Sequence, residues 1–226
     1  MIKKACFIIS AVFVCISLTA CSGGEGSLYY MLMTALGFDM NDYESEETIR
    51  VVKEDDAEYE EIVRIIGMLV IDNSHITPFT SPREASSGNR DAILNYMLAE
   101  NYAAYNGNSA LLLSASEEYP QYNITTLIPQ RDFESTVYRN FGGDASVTHE
   151  SGVRYTYLPR VSAYTTTGQP ITVSVTITVD TCVETENTFR VTFTLTDSGE
   201  KSASYSAMMM KREDETIYMR YLKSAE

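Results

Sequence analysis

The chain predicts an α+β domain, with about three helices packed on a curved antiparallel sheet of four to five strands. Two observations predict it. From Leu28 to about Gly143 apolar residues recur at helical spacing, whereas from Val153 to Leu222 they alternate with polar ones. Short turn signals separate the alternating runs, which joins neighbouring strands as a meander rather than through crossover helices.

Taken in order, Leu28 to Leu36 is apolar and suits a short helix or a strand, and Thr48 to Val52 suits a brief strand. Asp55 with Glu58 three residues later has the spacing of a capping box. Behind it Tyr59, Ile62, Val63, Ile66, Leu69 and Val70 mark one face of a helix ending near Asn73-Ser74, with Glu60, Glu61 and Arg64 on the other. Pro78, Pro82, Ser86, Ser87 and Gly88 read as a loop. A second helix follows Asn89, with Leu94, Met97, Leu98, Asn101, Tyr102 and Tyr105 on one side and Gly107 as its stop. Ile124 to Leu127 suits a short strand. A third helix, from about Pro129 to Phe141, places Pro in the first turn and Phe133, Val137 and Phe141 on one line. Gly142-Gly143 ends it.

In the second half Val153, Tyr155 and Tyr157 point one way. Ile171 through Val179 then alternate with Thr172, Ser174, Thr176, Thr178 and Asp180, and Phe189 through Leu195 with Thr188 to Thr196. Glu184 to Asn187 is a turn, and Asp197-Ser198-Gly199 a hairpin loop. Ala203, Tyr205, Ala207 and Met209 continue the pattern, and Ile217, Met219 and Tyr221 close it. One face of this sheet is greasy and the other rich in threonine, so helices must cover the greasy face. Met209 fits the core; Met208 and Met210 are either core filling or an exposed partner contact.

The N-terminus carries a second pattern. Lys3 and Lys4 precede an apolar stretch, Cys6 to Ala20, whose length of ~22 Å as a helix is short of a ~30 Å hydrocarbon core. Leu18-Thr19-Ala20-Cys21 follows, then the polar run Ser22 to Ser27. These residues resemble the signal and lipobox of bacterial lipoproteins. The resemblance implies that signal peptidase II removes residues 1–20 and that the Cys21 thiol carries a diacylglycerol. It further implies a lipidated tether over 21–27 and a single α+β domain over 28–226, anchored outside the cytoplasm through acyl chains. Removing residues 1–20 takes away Lys3 and Lys4 and no acid, leaving 15 Lys and Arg against 31 acids, a net charge of −16. So acidic a chain is a poor partner for nucleic acid. Cys6 and Cys15 leave with the signal, so Cys182 has no intrachain disulfide partner in the mature form.

Catalytic and metal signatures are missing. His75 and His149 lie apart, with no H-E-x-x-H or C-x-x-C, and neither G-x-S-x-G nor a phosphate-binding glycine loop occurs. No cofactor is expected. The carboxylates from Asp42 to Glu61 read as a solvated acidic face. Tyr102, Tyr105 and His149 are the candidate ligand-binding residues. Packing of Tyr96, Tyr102 and Tyr105 against the sheet, and a solvated loop position for His149, are the competing readings.

The order helix, helix, short strand, helix and then long antiparallel strands, over about Asp56 to Leu222, is similar to nuclear-transport-factor-2-like (NTF2-like) and cystatin-like folds. That resemblance implies a curved sheet wrapped against helices. The function expected is a non-enzymatic binding module of the cell envelope for a peptide, glycan or protein partner. The alternatives are an extracellular hydrolase on the same scaffold and a structural subunit of an envelope complex.

Overall fold

The computed structural model describes residues 48–71, 75–107, 110–142, 147–172, 174–197 and 201–225. Cys21 and the residues before it, the Leu28–Leu36 run, Asn73-Ser74, Val173 and the Ser198-Gly199 loop lie outside them. All described residues belong to one compact unit, Thr48–Glu226.

The chain is α+β. Strand β1 (Arg50–Val51) precedes helices α1 (Ala57–Gly67), α2 (Pro82–Gly88), α3 (Arg90–Glu100), α4 (Tyr102–Tyr105) and α5 (Ala110–Glu118). Next come β2 (Leu127–Pro129), α6 (Gln130–Phe141), β3 (Thr156–Leu158) and β4 (Ala163–Thr165). The chain finishes with β5 (Val175–Glu184), β6 (Thr188–Asp197), β7 (Lys201–Lys211) and β8 (Ile217–Ser224). Strands β1-β5-β6-β7-β8 form an open antiparallel sheet, and β2-β4-β3 a second, smaller one.

The three long helices, α1, α3 and α6, are those the periodicity predicts. They bury Ile62, Ile65 and Ile66, then Ile93, Leu94 and Leu98, then Phe133, Val137 and Phe141. The β6 face opposite them contributes Phe189, Val191, Phe193 and Leu195 to the same core, and β7 contributes Tyr205, Ala207 and Met209. Phe193 stacks on Tyr205 across the strands at 5.4 Å. Met208 is buried as well and Met210 half-buried, so core filling accounts for the first of the pair. Gly142 ends α6 at φ +99°, a conformation that favours glycine, and a Cβ there would lie 3.0 Å from the Tyr218 ring.

Several elements differ from the sequence reading, each for a local reason. Helix α1 begins after Asp56, whose carboxylate serves Arg50 Nη1 (2.7 Å) and the Lys53 amide (2.8 Å) instead of capping. Glu58 takes Arg50 Nη2, so no capping box forms. The helix also stops at Gly67, earlier than expected. Pro82 to Gly88 is a helix rather than a loop. Ser81 accepts from the Glu84 amide, and Glu84 reaches back to the Thr80 amide and hydroxyl. Ser81-Pro82-Arg83-Glu84 is itself a capping-box sequence with Pro where helices tolerate it.

Helix α5 falls between the predicted elements; its Leu112 and Ala115 join a satellite core with Ile124, Leu127, Leu158 and Ala163. The segment Val153–Tyr157 does not extend the main sheet. Val153 is 98% exposed outside any strand, and Thr156–Leu158 pairs with β4 in the second sheet. The fifth strand of the main sheet is β1, held where Arg50 Nε meets Glu184 at 2.5 Å and Lys211 meets the same carboxylate.

Two bulges interrupt the alternation. At Asp180 the inward face of β5 passes from Val175, Ile177 and Val179 to Cys182 and Glu184; at Arg220 that of β8 passes from Met219 to Leu222, leaving Tyr221 half-buried. The run from Ile171 also begins pairing late, at Val175. Before it, Asn95 of α3 acts as a strand substitute: its Oδ1 accepts from the Ile171 amide (2.7 Å) and its Nδ2 donates to the Ile171 carbonyl (3.1 Å). Asn89 clamps Thr77 in the same two-bond manner.

Asn95→Ala leaves the Ile171 amide and carbonyl without those partners and should cost ~2–3 kcal/mol. Loss of the Ser81 cap in Ser81→Ala should cost only ~1 kcal/mol. Urea denaturation of both variants checks the order; equal midpoints would show that the asparagine clamp contributes nothing beyond a cap.

Candidate functional site

A cavity of 390 Å³ opens between α1, α3, α4 and α6. Met68 and Met97, both buried, supply its apolar lining. Tyr96 and Tyr105 bring half-buried rings, and Ser135 and Thr136 bring hydroxyls from α6. Arg64, Glu100, Asn101, Arg139 and Asn140 complete the lining.

Arg64 is the organised centre of this site. Its Nε and Nη2 donate to the two Glu61 oxygens, both at 2.7 Å, and Nη2 also donates to Asn140 Oδ1 at 2.6 Å. Asn140, buried, donates in turn to the Thr136 carbonyl at 2.7 Å, which fixes its amide orientation. The Glu61 bonds hold the guanidinium protonated far above its ordinary value despite burial, with the Tyr96 phenol adding in the same direction. Glu61 moves the other way: the Arg64 hydrogen bonds keep its carboxyl below the usual range against the opposing effect of burial. The two shifts agree on one stable ion pair. Tyr105 donates a long bond to Asp132 (3.4 Å), and burial, reinforced by that carboxylate, pushes its hydroxyl up to about 12.

The far end of α6 is tied down separately. Arg212 donates to the Tyr138 carbonyl (2.8 Å) and the Arg139 carbonyl (2.9 Å), with its guanidinium over the Tyr218 ring at 4.5 Å. Arg139 is thereby placed by its backbone while its side chain stays exposed.

Of the three residues singled out as ligand candidates, Tyr105 faces the cavity. Tyr102 is half-buried outside the lining and accepts from Gln169 Nε2. His149 belongs to a different cluster. Its Nδ1 lies 2.8 Å from the Tyr164 hydroxyl and its Nε2 2.9 Å from Glu134 Oε1, while its ring stacks on Tyr157 at 5.3 Å. The ring is therefore held between a phenol hydroxyl and a carboxylate. Gln130 donates to the same Glu134 oxygen and accepts from Tyr157. Tyr164 is fully buried and burial raises its hydroxyl well above the ordinary value, so His149 sits in a partly buried hydrogen-bonded cluster, not in a solvated loop. Arg64, Arg139 and Asn140 escaped the sequence reading. Arg64 falls on the polar face of its helix by spacing, and the usable signal is the i, i+4 pair Thr136 and Asn140, two polar residues flanking the Phe133 line.

Cys182 is buried and burial pushes its thiol up to about 11. Among the described residues no group of three or more His, Cys, Asp and Glu could hold a metal ion, and no helix is long and apolar enough to cross a membrane. Comparison of the chain with protein-family models, curated proteins and solved structures finds no match.

Because Glu61 has a lowered carboxyl value, folding is favoured by the pair above the ordinary value of 4.5, and that contribution is lost as pH falls through the lowered one. Melting temperature between pH 7 and pH 3 should therefore fall more steeply in the unaltered chain than in Glu61→Gln. Parallel slopes would remove the pair from the acid response.

Proposed function

We propose that this chain is a lipid-anchored protein of the bacterial cell envelope, whose folded unit binds a partner without transforming it. Its fold reading beyond α+β is a curved, NTF2-like or cystatin-like sheet wrapped by α1, α3 and α6. The observation that carries the binding role is the cavity: an apolar lining, two tyrosine rings and an arginine locked in place by Glu61 and Asn140.

The direction of the shifts favours binding over turnover. A general acid or base works best with a pKa near the operating pH. At this cavity Arg64 is pushed further towards permanent charge and Tyr105 towards a permanently protonated hydroxyl. Both become fixed recognition groups rather than proton carriers. A peptide, glycan or protein segment that fits the site would meet hydrogen-bond donors on polar walls and apolar surface beneath. The rival hydrolase reading gains no support from these shifts.

The anchor rests on Lys3, Lys4, the apolar stretch to Ala20 and Cys21. With two or three acyl chains on Cys21, attachment is firm, since one chain alone holds only marginally. Cys21→Ser should abolish palmitate incorporation in labelled cells, leave the precursor uncut and release the protein from the membrane fraction. Unchanged labelling and trimming would place the protein elsewhere. For the binding role, Ser135→Trp crowds the cavity from an exposed position. It should leave the unliganded melting temperature within ~2 °C, an effect below about 1 kcal/mol, while abolishing ligand-induced stabilisation. Full stabilisation in that variant would move the site away from this cavity.

A further inference from the structure

Once the Glu61–Arg64 pair is set aside, two charges of opposite sign remain on the cavity lining. Glu100 sits at the end of α3 and Arg139 in the last turn of α6. Both side chains are exposed, and among the described residues neither side chain makes a hydrogen bond or a short ion pair, although the Arg139 charge acts through space on the Glu61 carboxyl. Opposite charges that share a cavity wall yet do not pair with each other leave a place for a ligand that carries both signs. Both charges stand at helix C-termini: the carbonyls of α3 beside Glu100 favour a cation, while at α6 the Tyr138 and Arg139 carbonyls are already taken up by the Arg212 guanidinium. At the other end, Arg139 offers the planar fork that matches a carboxylate. Met68 and Met97 provide the apolar surface. A volume of 390 Å³ lies at the small end of ligand sites, which run from about 300 to 1,000 Å³. It suits a dipeptide and is too small for a long glycan or a folded partner.

Building on the binding role proposed above, we infer that the cavity takes a short zwitterionic peptide with apolar side chains. Its carboxylate lies on Arg139, its ammonium on Glu100, and an apolar side chain against Met68 and Met97. A simple anion would meet Glu100 and a simple cation would meet Arg139, so each is disfavoured by one wall. Neutral sugars would leave both charges without partners.

The test is calorimetric titration of the chain purified in detergent from the membrane fraction. The probes are L-leucyl-L-phenylalanine, its N-acetyl form and its C-terminal amide. Free dipeptide should bind one to one. N-acetylation and Glu100→Gln should each weaken binding about tenfold or more, and the acetylated peptide should be indifferent to Glu100→Gln. The amide and Arg139→Gln should behave as the matching pair. Both substitutions are at exposed positions, so folding should be unaffected. Equal affinity for free and capped peptides, no effect of either substitution, or no binding of any of the three at millimolar concentration each overturns the inference. A thermal-shift screen of the same chain against sugars and organic anions separates this from the broader proposal. A hit lost in Ser135→Trp, without dipeptide binding, keeps the binding role and sinks the zwitterion. Hits that all survive Ser135→Trp sink the binding role at this cavity too.

Discussion

A half-greasy antiparallel sheet has to be covered, and the rest of this structure follows from how that is done. Strands β5 to β8 direct Phe189, Val191, Phe193, Leu195, Tyr205 and Met209 to one side. Burying an aliphatic or aromatic side chain stabilises the fold by ~1.5–3 kcal/mol, and the sheet face and the helix stripes gain this together when they meet. Helices α1, α3 and α6 carry the matching apolar stripes. A cavity remains where their polar sides face one another, beyond the reach of the sheet.

The helices are held in place by polar groups as well as by apolar area. Asn95 links α3 to the approach of β5, and Asn89 links the start of α3 to Thr77. In each case a side-chain amide offers one donor and one acceptor to a backbone that has no strand neighbour at that point. Arg64 joins α1 to α6 through Asn140, and Arg212 joins the end of α6 to the β7–β8 corner through Thr216. These contacts set the helices around the cavity at fixed positions. They explain why Arg64 is a rigid wall group, whereas Arg139, hydrogen-bonded through its backbone carbonyl, leaves an exposed guanidinium.

Much of the architecture was legible from one-dimensional pattern. Phe133, Val137 and Phe141 marked α6 to within a residue of its observed start, and Phe189 to Leu195 marked β6. Failures came where local signals compete. Pro82, Ser86, Ser87 and Gly88 have the composition of a loop, yet Pro82 stands at the first position of a helix capped by Ser81 and Glu84. Val153, Tyr155 and Tyr157 alternate like a strand, yet Val153 is exposed and Tyr155 buried outside any strand. The bulges at Asp180 and Arg220 carry no local mark, because an extra residue is visible only against the partner strand. At the cavity, Tyr105 stood out as an aromatic with a polar tip. Arg64 looked like an ordinary surface charge, since its partner Asn140 lies 76 residues away.

The sequence by itself determined the periods of two and of 3.6, the turn between β5 and β6, the acidic balance and the thiol at Cys21 as a candidate lipid site. Each of these depends on residues within a few positions of one another. Only the tertiary structure decided that β1 rather than Val153–Tyr157 completes the main sheet, that His149 joins a partly buried cluster, and that Glu100 and Arg139 share one cavity. Those outcomes depend on which distant segments meet, and no local propensity encodes the distance between two helix ends.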